Sequence, residues 1–199
     1  MGHDWGSSVG WAFIAEHPER LYSWTSLSIP HMKAFQEAYR SDFDQKRRSK
    51  YIGFFNTPFF PELYFSFNGY NNLKNIWRAH DDEEKEAYLS VFRQRGALRS
   101  ALNWYRANIG RRRNPSDNIN FGNVKIPTLL IWGNMDMAIG RKSVVLSEQY
   151  MAGPYNFLEL YAGHWLIQES FDDVSKAIIK HIKTYSLEYY EPQLGRRKK

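Results

Sequence analysis

Three side chains able to do covalent hydrolytic chemistry stand far apart in this sequence. Asp4 lies inside Gly2-His3-Asp4-Trp5-Gly6, a small-x-x-x-small frame suited to a sharp turn. Asp136 lies within WGNMDMAIG and His164 within ELYAGHWLIQES. A carboxylate raised on a tight turn can attack carbon, and a histidine oriented by a second carboxylate can then deprotonate water. The choice of aspartate at the turn carries information. A serine displacing oxygen from a saturated carbon would leave an ether, which such a set of groups does not hydrolyse. A carboxylate leaves an ester, whose carbonyl water can attack. The pattern points to substitution at sp3 carbon in two steps, with Asp4 the nucleophile, His164 the general base and Asp136 the acid that orients it.

These residues act together only if the fold gathers them. Val9, Trp11, Ala12, Ile14 and Ala15 recur at helical spacing, so the turn is predicted to feed a helix over residues 6–20, closed near Pro18. Residues 21–29 predict a short buried strand bounded by Pro30. Ile126-Pro127-Thr128-Leu129-Leu130-Ile131-Trp132-Gly133 is a nearly continuous apolar run, as a strand buried on both faces requires. A helix is predicted near 143–150, a strand over 155–160, and a long helix over 167–185 with Val174, Ile178, Ile179 and Ile182 on one stripe. This alternation predicts a parallel sheet. Asp4, Asp136 and His164 each fall where a strand has just ended, the end at which open parallel sheets gather function. The 28 residues from Asp136 to His164 leave room for one helix and one strand. Residues 31 to about 120 differ: aromatic-rich, helical and without a convincing strand, they read as an insertion. Asp81-Asp82-Glu83-Glu84 opens one of its helices, with acidic groups at the positive end of the dipole. The division is therefore residues 1–30 and 123–199 as an α/β core, the latter with a basic tail, and 31–122 as a helical block.

The order nucleophile, acid, histidine is that of the α/β-hydrolases. Gly2-His3-Asp4-Trp5-Gly6 resembles the nucleophile elbow of the epoxide hydrolases within that superfamily, GHWLIQES resembles their histidine motif, and the helical block resembles their cap domain. ALNWYR (residues 101–106) resembles the segment carrying one ring-opening tyrosine, which places that role on Tyr105. YIGFFNTP (residues 51–58) resembles the segment carrying the second, on Tyr51. FFNTPFFPEL resembles the animal membrane-anchored branch. The resemblance runs over residues 1–185. It implies that Asp4 opens an epoxide from behind while Tyr51 and Tyr105, whose free phenol pKa of about 10 keeps them protonated, hold the ring oxygen and supply a proton. His164 then activates water against the Asp4 ester, and the Trp5 backbone N–H serves as an oxyanion donor. A small apolar epoxide and water are the implied reactants, with no metal and no organic cofactor. A dehalogenase of the haloalkane or haloacid type shares the same logic. Halide, however, leaves as a stable anion and needs no acid, so the tyrosine pair favours the epoxide.

The family's sheet has eight strands and its elbow follows the fifth. A chain that starts at the elbow is therefore expected to be the C-terminal part of an incomplete α/β-hydrolase fold. On that expectation it lacks the strand leading into Asp4 and the loop giving the second oxyanion donor, and leaves an apolar edge on the strand at 21–29. Impaired or absent turnover follows, with a non-catalytic truncated isoform as the alternative function class.

The 199 residues are 43% apolar and 17% aromatic, ample for a packed core. The absence of cysteine excludes disulfides, thiolate catalysis and cysteine zinc sites. No apolar run approaches the roughly 18 residues of a membrane span, and no signal-peptide pattern opens the chain. A full-length parent would be cytoplasmic or membrane-associated, any anchor lying upstream. The net charge of +6 sits largely in Lys46-Arg47-Arg48, Arg111-Arg112-Arg113 and the tail Arg196 to Lys199. Separate clusters of this kind read as solvated faces and a chain end, so no nucleic-acid partner is expected.

Overall fold

The computed structural model describes residues 1–109 and 118–194, with side chains as far as residue 185. The basic run Arg111-Arg112-Arg113 and the tail Arg196 to Lys199 lie outside the described residues. The chain divides into two compact units, Met1–Arg48 with Ile119–Lys199, and Ser49–Asn118.

The first unit is built on a parallel sheet in the order β1 (Gly2–His3), β2 (Trp24–Leu27), β3 (Thr128–Gly133), β4 (Tyr155–Leu160). In register, Trp24 to Leu27 lie beside Thr128 to Ile131, and Thr128 to Gly133 beside Tyr155 to Leu160. All six residues of β3 are buried, as its unbroken apolar run requires. Leu27, Leu129 and Ile131 pack with Leu166 of α9 (Leu166–Glu169) and with Val174, Ala177 and Ile178 of α10 (Phe171–Leu194). Each large aliphatic side chain so buried contributes about 1.5–3 kcal/mol. Trp11 of α1 (Trp5–Glu16) meets the Trp24 ring edge-on at 5.8 Å. α2 (Met32–Ser41) packs against α8 (Arg141–Val145), and α3 (Phe43–Arg48) follows it, so both helices belong to this unit rather than to the second one.

Several elements differ from expectation; the helix predicted over 6–20 spans Trp5–Glu16, and the one near 143–150 is Arg141–Val145 followed by a 3-10 turn. The strand predicted over 21–29 is held to Trp24–Leu27. Ser28 takes a positive φ of 67°, and the Ile29 carbonyl is claimed by the Ser26 hydroxyl (2.6 Å) and the Trp11 indole N–H (3.1 Å), which bends the chain off the ladder. The helix predicted over 167–185 is two helices, parted at Ser170. Gly2–His3 forms a strand of its own beside Ser26 and Leu27, where three strands were expected. Two residues are too few to show any periodicity.

The second unit holds α4 (Lys50–Phe55), α5 (Phe60–Ser66), α6 (Asp82–Phe92) and α7 (Ala97–Asn108), with no strand among the described residues. Its interior contains Phe65, Leu73, Trp77, Leu89, Leu98 and Leu102. Asp81 caps α6, its carboxylate accepting the Glu84 backbone N–H at 2.8 Å. No helix among the described residues is long and apolar enough to cross a membrane.

One buried histidine in the first unit makes stability depend on pH. His31 is 1% exposed, stacked on Tyr150 at 4.6 Å. Burial, with help from the Lys33 charge, lowers its pKa to about 4. The unfolded chain, with a histidine pKa near 6.5, takes up this proton first. The stabilisation is therefore complete above about pH 6.5 and is lost as pH falls toward 4. From pH 7 to pH 5 the loss should be on the order of 2 kcal/mol. Urea unfolding at the two pH values, compared with His31→Phe, isolates this group from His3 and His181, which burial also depresses. An equal loss in the variant would remove His31 as the cause.

Candidate active site

The turn between β1 and α1 carries Asp4 at φ 51°, ψ −124°, a conformation an L-residue adopts only under strain of about 1–3 kcal/mol. Glycine is required at position 2, where a Cβ would stand 2.5 Å from the Gly6 carbonyl oxygen. The Ser7 hydroxyl donates to the Gly2 carbonyl at 2.6 Å and ties the strand to the helix it feeds. The Asp4 carbonyl accepts the Ser7 and Ser8 N–H groups, starting α1 directly beneath the side chain.

The other two groups sit on loops after β3 and β4. Asp136 is fully buried, and its Oδ1 accepts the Ala138 and Ile139 N–H groups at 2.7 and 3.1 Å. Its Oδ2 accepts from His164 Nδ1 at 3.0 Å, while His164 Nε2 stands 3.2 Å from Asp4 Oδ1. The imidazole thus bridges two carboxylates from two strand ends. Gly133 permits this meeting of loops, since a Cβ there would lie 2.2 Å from the Ala162 carbonyl oxygen.

The charges follow. Burial opposes an imidazolium at His164, but the hydrogen bonds and charges of Asp136 and Asp4 outweigh it and raise its pKa to about 10. Burial likewise opposes ionisation of Asp4, and the hydrogen bond and charge of His164 prevail, with the Trp5 backbone N–H adding to them; the Asp4 pKa is lowered. Burial, and then the His164 charge, lower the pKa of His3. Its Nε2–H donates to the His164 carbonyl at 2.8 Å. Among the described residues no group of histidines and carboxylates is arranged to hold a metal ion.

Several supporting residues carry no motif. Gln45, on α3, is fully buried, its amide donating to the Ala138 carbonyl (2.9 Å) and accepting from the Gly140 N–H (2.8 Å) and Ser143 hydroxyl (3.0 Å), which brace the Asp136 loop. Arg48 donates to the Asp136 carbonyl and to Asp44. Lys46-Arg47-Arg48 is therefore not wholly a solvated run. Glu169 reaches back to the His164 loop. The only sequence signal was a carboxylate five residues past the histidine.

In the second unit Tyr51 of α4 and Tyr105 of α7 meet edge-to-face at 5.9 Å, with Phe55 against both at 5.3 and 4.8 Å. Arg106 fixes α7 to α5 through a two-pronged pair with Glu62 at 2.6 and 2.9 Å.

Residues 1–170 match the family model described as the alpha/beta hydrolase fold. The chain belongs to this family. This α/β-hydrolase is 32% identical to human epoxide hydrolase 4 over 195 residues, 92% of this chain and 52% of that protein. It is 30% identical to epoxide hydrolase 3 of Xenopus tropicalis, with 92% and 52% covered. It spans about half the length of these relatives. A Bacillus megaterium epoxide hydrolase solved with an inhibitor superposes with a TM-score of 0.79 at 22% identity, covering 91% of this chain and 67% of that one. The likeness to epoxide hydrolases read from the motifs is borne out by the sequence relatives, and the α/β-hydrolase fold by the family match and the sheet.

Proposed function

We propose that this α/β-hydrolase opens epoxides to vicinal diols through an ester on Asp4. The observation that carries the reading is the bridge from Asp4 through His164 to buried Asp136, with Asp4 on a strained turn at a helix start. In the resting site Asp4 is a carboxylate and His164 an imidazolium. Asp4 Oδ1 attacks an epoxide carbon, the C–O bond breaks, and the alkoxide takes a proton from Tyr51 or Tyr105, roles that rest on the family resemblance. Ester formation removes the Asp4 charge. His164 then loses one of the two partners that raise its pKa, so it passes its proton through solvent to the tyrosinate left by ring opening and can act as base toward water. Water adds to the ester carbonyl, the Trp5 N–H stabilises the oxyanion, and collapse releases the diol with Asp4 restored.

In this reading the helical block carries Tyr51 and Tyr105 as its ring-opening groups, its extent being residues 49–118 rather than the expected 31–122, since α2 and α3 belong to the first unit. The test is incubation with styrene oxide and, separately, with a chloroalkane. Diol without halide is expected; halide release instead would give the site to a dehalogenase. Tyr51→Phe and Tyr105→Phe should each slow ring opening roughly 100- to 1000-fold, about 3–4 kcal/mol, with the double variant slower still. Parent-like ring opening in Tyr51→Phe beside a crippled Tyr105→Phe would leave Tyr51 a packing residue.

A further inference from the structure

His164 is gripped by its backbone as well as by its ring, and the backbone grip has one main source. The Glu169 carboxylate accepts the Gly163 N–H at 2.6 Å and the Trp165 N–H at 3.2 Å, the N–H groups of the residues before and after His164. Two neighbouring features accompany this reach. At Gly163 a Cβ would stand 2.8 Å from Glu169 Oε1, so a side chain there would displace the carboxylate. The helix after β4 stops at Ser170, where φ −147° and ψ 47° leave the helical region, so that Glu169 ends a four-residue helix and faces back along it. On the opposite side the His164 carbonyl is held by His3 Nε2–H at 2.8 Å and the Ser28 hydroxyl at 3.3 Å. The His164–Trp165 peptide is pinned from both directions, its N–H by a carboxylate, which makes stronger hydrogen bonds than a neutral acceptor.

We propose that Glu169 is the positioning residue of the general base, its carboxylate setting the height and tilt of the His164 imidazole between Asp136 and Asp4. This rests on the epoxide-hydrolase reading for its catalytic consequence but not for its geometry. Nε2 stands 3.2 Å from Asp4 and Nδ1 3.0 Å from Asp136, so a backbone shift of about 1 Å would break one bond or the other. Such misplacements cost rates on the order of 100-fold. A carboxylate that merely capped α9 would affect stability alone and leave the ring where it is.

The test compares the 199-residue chain with Glu169→Gln, nearly the same shape without the charge, and Glu169→Ala. Histidine-selective 15N NMR reads the His164 ring directly, and intact-mass spectrometry after mixing with styrene oxide follows the Asp4 ester. In Glu169→Ala, the Nδ1–H resonance of His164 should weaken and its titration midpoint fall by a unit or more. Ester formation should stay within about threefold, and ester hydrolysis should slow 10- to 100-fold. Glu169→Gln, which keeps one acceptor oxygen, should lie between, and it carries the test if the alanine variant does not fold. A His164 signal and midpoint unchanged in a folded variant overturn the proposal, whatever the rates do. If the wild-type chain forms no Asp4 ester while the His164 signals still move, the positioning role stands and the epoxide reading falls.

Discussion

Asp4→Gly should leave no diol formation above about one ten-thousandth of the parent rate and no substrate-sized mass on the protein. Glycine is the informative replacement because Asp4 sits at φ 51°, where any residue with a Cβ is strained and glycine is not. The turn therefore survives and only the nucleophile goes. His164 keeps its bond to Asp136 but loses Asp4, so its pKa should fall. That shift confirms that the carboxylate has been removed from an intact site. The magnitude follows from the chemistry. Enzymes accelerate such reactions by at least about a millionfold, and covalent attack at carbon has no substitute group within reach of the turn. Diol formation persisting near the parent rate, with the His164 shift observed, would take the nucleophile's role away from Asp4.

His164→Gln should divide the reaction at its midpoint. Asp4 would lose the partner that depresses its pKa and burial would then push it up, but from an ordinary value near 4 a carboxylate still has an ionised population at pH 7 that can open the ring. Water, by contrast, would have no base. General-base assistance contributes roughly 100- to 10,000-fold, so hydrolysis should fall by that factor while attack continues. The protein should then accumulate as a species heavier by one substrate, its mass on the peptide containing Asp4. Unmodified protein, in conditions where substrate binding is measured, would mean that His164 serves the first step rather than the second. Asp136 is expected to show a milder version of the same defect, because it orients the base and does not touch water.

The parts of this molecule visible in its sequence are those governed by local composition. Thr128–Gly133 could be read as a strand because both its faces are buried, which forces an unbroken apolar run. Asp4, Asp136 and His164 could be read because each is a chemically marked residue just past such an element. What escaped was set by contacts between distant segments. The break at Ser170 comes where Glu169 turns back to the histidine loop, and no pattern within 167–185 announces it. Gln45 stands in an otherwise charged stretch and looks like a surface residue, yet it is fully buried against a loop some ninety residues away. The strand Gly2–His3 exists only because Ser26 and Leu27 offer it a ladder.

The pairing of β2 with β3 also has a consequence in time. Leu27 lies beside Ile131 and Trp24 beside Thr128, so the two strands are separated along the chain by the whole helical block. During synthesis at about 5–20 residues per second, the turn bearing Asp4, α1 and β2 emerge and then wait roughly 5–20 seconds for their neighbour to be made. Closing a loop of about a hundred residues also costs entropy before any contact in β3 repays it. For that interval Trp24–Leu27 lacks β3 as its neighbour on one edge. The nascent chain is most exposed to misassembly while the second unit is being translated, and slowing synthesis across residues 49–118 should lower the yield of folded protein more than slowing it after residue 160.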